Sequence, residues 1–190
     1  MHPEEGALLD AFEEAFEAID LLVERQYVQS GLVVLYSTID AAAWLGVTGD
    51  GDVTRTDFVS WVEAYLLPGT SLRCTGLELY AARCGVLHSL TAFSRLSREG
   101  KVRTIGYARG TASAGRLNDV AAVLGRSDIV GVHVDDLRGA LRIGMQRFLD
   151  ATALDPDRWS NLRDRAKNLF SHLPIFAVDA ALSEGRAPDA

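Results

Sequence analysis

Arg83 and His88 are the residues best suited to chemistry in this chain, set in the run Leu79-Tyr80-Ala81-Ala82-Arg83-Cys84-Gly85-Val86-Leu87-His88-Ser89. Histidine moves a proton near neutral pH. Arginine grips a phosphate through two parallel hydrogen bonds. The pair suits cleavage of a phosphodiester by its neighbouring ribose hydroxyl: the base takes the 2′ proton and the cation holds the charge that grows on phosphorus. That chemistry acts on RNA and not on DNA, which lacks the attacking hydroxyl. Five helical residues turn through about 500°, so the two side chains diverge by about 140° and meet only if the long arginine bends. A structural reading competes. With Cys84 at the centre of a buried face, Leu77, Tyr80, Ala81, Leu87, His88 and Thr91 fall within about 60° of it. His88 is then a core histidine bonded to Asp40 or Tyr36, and Arg83 a flank residue paired to Glu78 or to an N-terminal acid.

Spacing alone does not select His88, because Arg126-x6-His133 and Arg165-x6-His172 repeat the pattern more loosely. The setting selects it: a capped helix, fourth in a bundle, with a basic segment just downstream. Other candidates fall short. Asp50-x-Asp52-x-Thr54 starts like an EF-hand loop, but the sixth and twelfth positions, which need Gly and Glu, hold Arg55 and Trp61. His133-x-Asp135 places two ligands on one strand face with no third nearby, so a strand-end histidine and a helix-capping aspartate are expected. No Gly-x-Ser-x-Gly, Walker loop, Gly-x-Gly-x-x-Gly or Cys-x-x-Cys occurs. Cys74 and Cys84 read as a loop thiol and a core thiol. No metal or cofactor is called for.

The elements that must position Arg83 and His88 follow from periodicity. Leu8, Leu9, Phe12, Phe16, Ile19, Leu22 and Val23 recur at helical steps and predict an amphipathic first helix with an acidic outer face. Gln29-Ser30-Gly31 is expected to break it. Leu32 to Leu45 is apolar on most sides, as a central bundle helix should be. Gly46 ends it, and a loop at Gly49-Asp50-Gly51-Asp52 leads to a third helix burying Phe58, Val59, Trp61, Val62, Tyr65 and Leu66 before Pro68-Gly69. Thr75-x-x-Glu78 is a capping box and opens the fourth helix, which should reach Leu90 or Leu96. The period then changes. Lys101–Arg109 and Asp128–Val134 read as strands, and the connector near Asn118–Leu124 is a short helix or a third strand. Asp135 or Asp136 caps the next helix, and Asp155-Pro156 opens the last, through Phe170.

The 190 residues suffice for one domain with its own core. Hydrophobic residues at 48% and charged residues at 24% exclude a disordered or low-complexity chain. No uninterrupted apolar run reaches the 18 or so residues of a membrane span, and the first residues do not read as a signal peptide, so a cytoplasmic protein without membrane partners is expected. The net charge of −7 argues against a general nucleic-acid coat protein. Its distribution is uneven. Residues 1–24 hold eight acids and no Lys or Arg. Residues 71–110 hold seven bases against Glu78 and Glu99. Either these segments pair with each other or the basic one faces a polyanion.

Arg83-x4-His88, late in a bundle of amphipathic helices, resembles the signature of the HEPN superfamily of helical-bundle nucleases. Residues 1–95 fit that layout. The resemblance implies a mainly α, HEPN-like bundle of four to six helices over residues 1–175, with a two- or three-stranded β insertion at about 100–135 and a flexible tail at 176–190. It implies a metal-independent endoribonuclease acting as a homodimer, with two such helices building one composite site. Arg83 and His88 would be catalytic, and Asp40 would orient one of them. Tyr80, Ser89, Arg95, Arg98, Lys101 and Arg103 would bind substrate. The alternative is the same module without cleavage, holding a nucleotide, an RNA or a protein partner.

Overall fold

The computed structural model describes residues 3–49 and 51–169, and these fold mainly as helices with one small parallel sheet. Helix α1 (Pro3–Glu24) and helix α2 (Val28–Leu45) form a hairpin with the most extensive packing in the molecule. The chain reverses at Gln26, whose φ is 66°. The break thus comes before Gln29-Ser30-Gly31, which lie inside α2. Gly31 serves close approach instead: a Cβ there would meet Val23 Cγ2 at 3.0 Å. Leu8, Phe12 and Ile19 of α1 are buried, whereas Leu9 is exposed.

Helix α2 is the centre of the bundle and touches α1, α3 (Arg55–Trp61), α4 (Gly76–Ser89), α7 (Val134–Ala153) and α8 (Pro156–Ala166). Leu35, Tyr36, Ile39 and Ala42 have no exposed surface. Among the described residues α2 also has the length and mean hydropathy, 1.2 over 18 residues, of a membrane-crossing helix. Half of it is buried inside the protein, against those five neighbours.

Helix α3 starts on a capping box between Thr54 and Asp57 and passes directly into a π-helical turn, Val62–Leu66. Periodicity carries no signal for that change, because Phe58, Trp61, Val62 and Leu66 are buried on either geometry. Its cause is tertiary. Gly144 of α7 packs so close that an added Cβ would lie 3.0 Å from Leu66 Cα. Arg147 of α7 then donates to the carbonyls of Tyr65 (3.3 Å) and Pro68 (2.6 Å).

The Thr75–Glu78 capping box opens α4 as expected, and Glu63 from the π turn accepts the Gly76 N–H at 2.6 Å. Helix α4 stops at Leu90, which is left-handed with φ 52°. A four-residue helix, α5 (Arg95–Arg98), follows. Strands β1 (Thr104–Ala108) and β2 (Ile129–His133) pair in parallel, Thr104 opposite Ile129 and Ala108 opposite His133. The connector is a helix, α6 (Ala114–Val123), and there is no third strand among the described residues. Glycines admit it: a Cβ on Gly106 would fall 2.7 Å from Leu117 Cδ2. The unit joins the bundle through a buried contact between the Tyr36 and Tyr107 hydroxyls, 2.6 Å apart.

Helix α7 is capped by His133 rather than by Asp135 or Asp136. The His133 Nδ1 accepts the Asp135 N–H (3.2 Å) while Nε2 donates to the Gly110 carbonyl (3.1 Å), so neither nitrogen offers a lone pair to a metal. Asp155 caps α8, which ends at Ala166; Phe170 and the tail expected at 176–190 lie outside the described residues. The EF-hand-like loop is latched by Arg165, which donates to the Gly49 and Gly51 carbonyls and stacks over Trp44. Among the described residues the acidic first helix forms no ion pair with the basic segment. Its Asp20 accepts from Arg138 (3.1 Å) and Arg142 (2.6 Å) of α7.

Glu78 ties α4 to the β unit. It is buried, accepts the Thr75 N–H at 2.8 Å, and takes Arg103 Nε at 2.6 Å and Nη2 at 3.0 Å. Burial alone would raise its pKa; the Arg103 and Thr75 hydrogen bonds outweigh that and hold it below the usual carboxylate value. A depressed folded-state pKa gives stability that is complete above the unfolded value, about 4.3, and is lost as pH falls through the folded one. Glu78→Gln is therefore expected to lower unfolding free energy by about 1–3 kcal/mol at pH 7. Urea titrations should show the gap between parent and variant closing below about pH 4; a gap independent of pH would contradict the charge's role.

Candidate functional site

The site is organised by the one charge in α2. Asp40 is the only ionisable acid or base between Val28 and Leu45, apart from the Tyr36 phenol. Arg83 of α4 meets it: Arg83 Nε donates to Asp40 Oδ2 at 2.7 Å, and Nη2 donates to the same oxygen. Both side chains are mostly buried, with 20% and 16% of their surface exposed. Burial would depress the arginine's pKa, but its hydrogen bonds to Asp40 outweigh that and raise it, so the guanidinium is a fixed cation.

Arg83 also bends toward His88, and its Nη1 lies 3.4 Å from His88 Nε2. A guanidinium has only donors, so the imidazole Nε2 is the acceptor in this weak contact. His88 is exposed and touches neither Asp40 nor Tyr36 through a hydrogen bond. The core-histidine reading is thus corrected. Its error was the angle of α4: the buried face is Glu78, Leu79, Ala81, Ala82, Gly85 and Val86, not the face centred on Cys84. The Asp40 pair accounts for that rotation, because it draws Arg83 inward and carries His88 to the rim.

The two cysteines are exchanged relative to expectation. Cys74 precedes α4 yet is buried, and burial first, then the Glu78 charge, push its thiol up to about 12. Cys84 is only partly buried and sits beside the Tyr80 hydroxyl and the Arg83 guanidinium. Tyr80 is raised above its ordinary value, chiefly by burial and then by Cys84. Tyr80 packs edge-on against Phe58, and Arg55 lies over its ring at 5.9 Å.

A cleft of about 220 Å³ adjoins these residues, lined by Arg55, Tyr80, Cys84, Ser94, Arg95 and Leu96. Tyr80 and Arg95 thus line one cleft. Ser89 is not in this cleft; its hydroxyl bonds the Gly85 carbonyl at 3.1 Å. Arg98 is exposed, and Lys101 pairs with Glu99 at 2.7 Å. Arg103 gives Nε and Nη2 to Glu78 and does not line this cleft. The sequence reading passed over Arg55 and Gln29, which donates to the Leu90 carbonyl at 2.9 Å and pins the end of α4 to α2. Neither carries a sequence signal, since both meet α4 only through the tertiary fold.

Ala81, Ala82 and Gly85 are buried, and Gly85 lies under this chain's own backbone. A Cβ on Gly85 would lie 2.6 Å from the Thr91 carbonyl oxygen. That stripe is filled from within and is not open to a second copy. Leu90 (58% exposed) and Phe93 (51%), which follow His88 in the chain, present apolar surface instead. Among the described residues no three His, Cys, Asp or Glu side chains converge as a metal site would require.

The geometry separates the roles of the two motif residues in stability. Arg83→Ala leaves a mostly buried carboxylate unpaired and is expected to cost about 1–3 kcal/mol. His88→Ala removes an exposed ring and should stay within about 0.5 kcal/mol of the parent. Chemical denaturation of both variants checks this, and equal losses would contradict the placement of His88.

No family model matches the chain, and no curated protein or solved structure is significantly similar to it.

Proposed function

We propose that the chain is a HEPN-like, metal-independent endoribonuclease that acts as a homodimer. The observation that carries this reading is the Asp40–Arg83–His88 chain of contacts, in which a held cation abuts an exposed imidazole. Asp40 takes two of the five guanidinium N–H groups, and the weak contact to His88 and the neighbouring Cys84 engage others, so a phosphate oxygen takes the last N–H or displaces the His88 contact. In the reaction the 2′ oxygen forms a bond to phosphorus and the bond to the 5′ oxygen breaks. One histidine accepts the 2′ proton, and a second protonates the leaving 5′ oxygen. Each chain supplies one His88, so a two-fold site supplies both roles. The exposed Leu90 and Phe93, two and five residues after His88, are the apolar surface that supports such a contact. Tyr80 and Arg95 flank the path, and Arg98 adds exposed positive charge.

A second reading rests on the same ion pair. Asp40 neutralises Arg83, which suits a module that grips RNA, a nucleotide or a protein without cleaving. One experiment separates the two. On the cleaving reading His88→Ala lowers RNA cleavage by about 10²–10⁴ while the melting temperature holds. Products end in 2′,3′-cyclic phosphate and activity survives EDTA. The protein sediments as a dimer at micromolar concentration. RNA binding without cleavage by the parent protein favours the second reading; a monomer that neither binds nor cleaves RNA overturns the first.

A further inference from the structure

A cavity of about 390 Å³ opens beside the β unit, and neither Arg83 nor His88 lines it. Its polar lining consists of donors: Arg73, Arg103, Arg126, Asn118 and Ser127. Arg73 is exposed and its guanidinium has no carboxylate partner among the described residues. Arg103 gives Nε and Nη2 to Glu78, and Arg126 gives Nε and Nη2 to Asp128, so each keeps Nη1 in reserve. Neither carboxylate lines the cavity. Asn118 is held by its oxygen, which accepts the Gly131 N–H at 2.6 Å, and this leaves its amide N–H₂ as the group on offer. The remaining wall is apolar, with Ala121, Ala122, Ile129 and Val130.

We propose that this cavity binds a nucleoside phosphate. Three guanidinium groups against two carboxylates leave net positive charge, and their planar forks match phosphate oxygens. Ion pairs to Glu78 and Asp128 hold two of the three in place before a ligand arrives, which reduces the ordering a ligand must impose. The volume lies in the range of sites for small organic ligands and exceeds what a bare phosphate fills. The apolar wall takes a base, and the Asn118 amide and Ser127 hydroxyl meet ring or ribose acceptors. The site lies on the β unit and does not rest on the nuclease reading.

Calorimetric titration of the full chain with ADP, AMP, pyrophosphate and adenosine tests this. ADP or AMP should bind saturably, one per chain, and at least about tenfold more tightly than pyrophosphate or adenosine alone, a difference of about 1.4 kcal/mol. Arg73→Glu should weaken binding by at least about tenfold with an unchanged melting temperature, since Arg73 is exposed. Arg25→Glu, the same charge change at the exposed end of the first hairpin, should leave the affinity unchanged. The proposal fails if no nucleotide binds at millimolar concentration, if both variants weaken binding equally, or if pyrophosphate binds as tightly as ADP.

Discussion

A carboxylate in the central helix of a bundle cannot be left alone. Asp40 sits four residues from Tyr36 and beside Ile39, both without exposed surface. An unpaired charge there is costly, and a single well-placed arginine removes most of that cost. Because Arg83 answers from α4, the pair fixes how α4 is rotated against α2. Everything on α4 inherits that rotation: Glu78 and Leu79 turn inward, Cys84 reaches the rim, and His88 is delivered to the surface. The ion pair is thus a positional device first and a stabilising contact second.

Both ends of α4 are held as well. At its start, Glu63 and Glu78 accept N–H groups that the helix itself cannot satisfy, and they place negative charge at the positive end of the dipole. At its end, the Leu90 carbonyl takes Gln29 and the Gly85 carbonyl takes the Thr91 N–H at 3.1 Å. A helix fixed at both termini and in rotation keeps Arg83 and His88 in one arrangement, as preorganised chemistry requires.

Local signals in the sequence were read well and tertiary ones were not. The Thr75–Glu78 box, the Asp155-Pro156 start and the two short strands are written in neighbouring residues, and all appear. So is the Arg83–His88 motif, whereas Asp40 enters only through the HEPN resemblance, since nothing local ties it to a residue 43 positions away. The π turn has no local mark, because Gly144 and Arg147 that shape it lie about eighty residues downstream. The facing of α4 differs from one centred on Cys84 because Ala81, Ala82 and Gly85 are buried, with Gly85 lying under the returning backbone of Thr91 and Phe93. The basic segment looked uniform in sequence. In space it divides among Arg83 on Asp40, Arg103 on Glu78, and Arg73, Arg95 and Arg98 at the surface.

The hydroxyl contact between Tyr36 and Tyr107 links the bundle to the β unit at a fully buried Tyr36 and a half-buried Tyr107. Removing one hydroxyl orphans the other, while removing both leaves two phenyl rings of nearly the same shape. The two positions therefore share one fate under mutation. A lineage that drifts at residue 36 carries a debt at residue 107 until the second change arrives, and the intermediate with one phenylalanine is the least fit of the three. In descendants of this chain, tyrosine should be kept at both positions or lost from both.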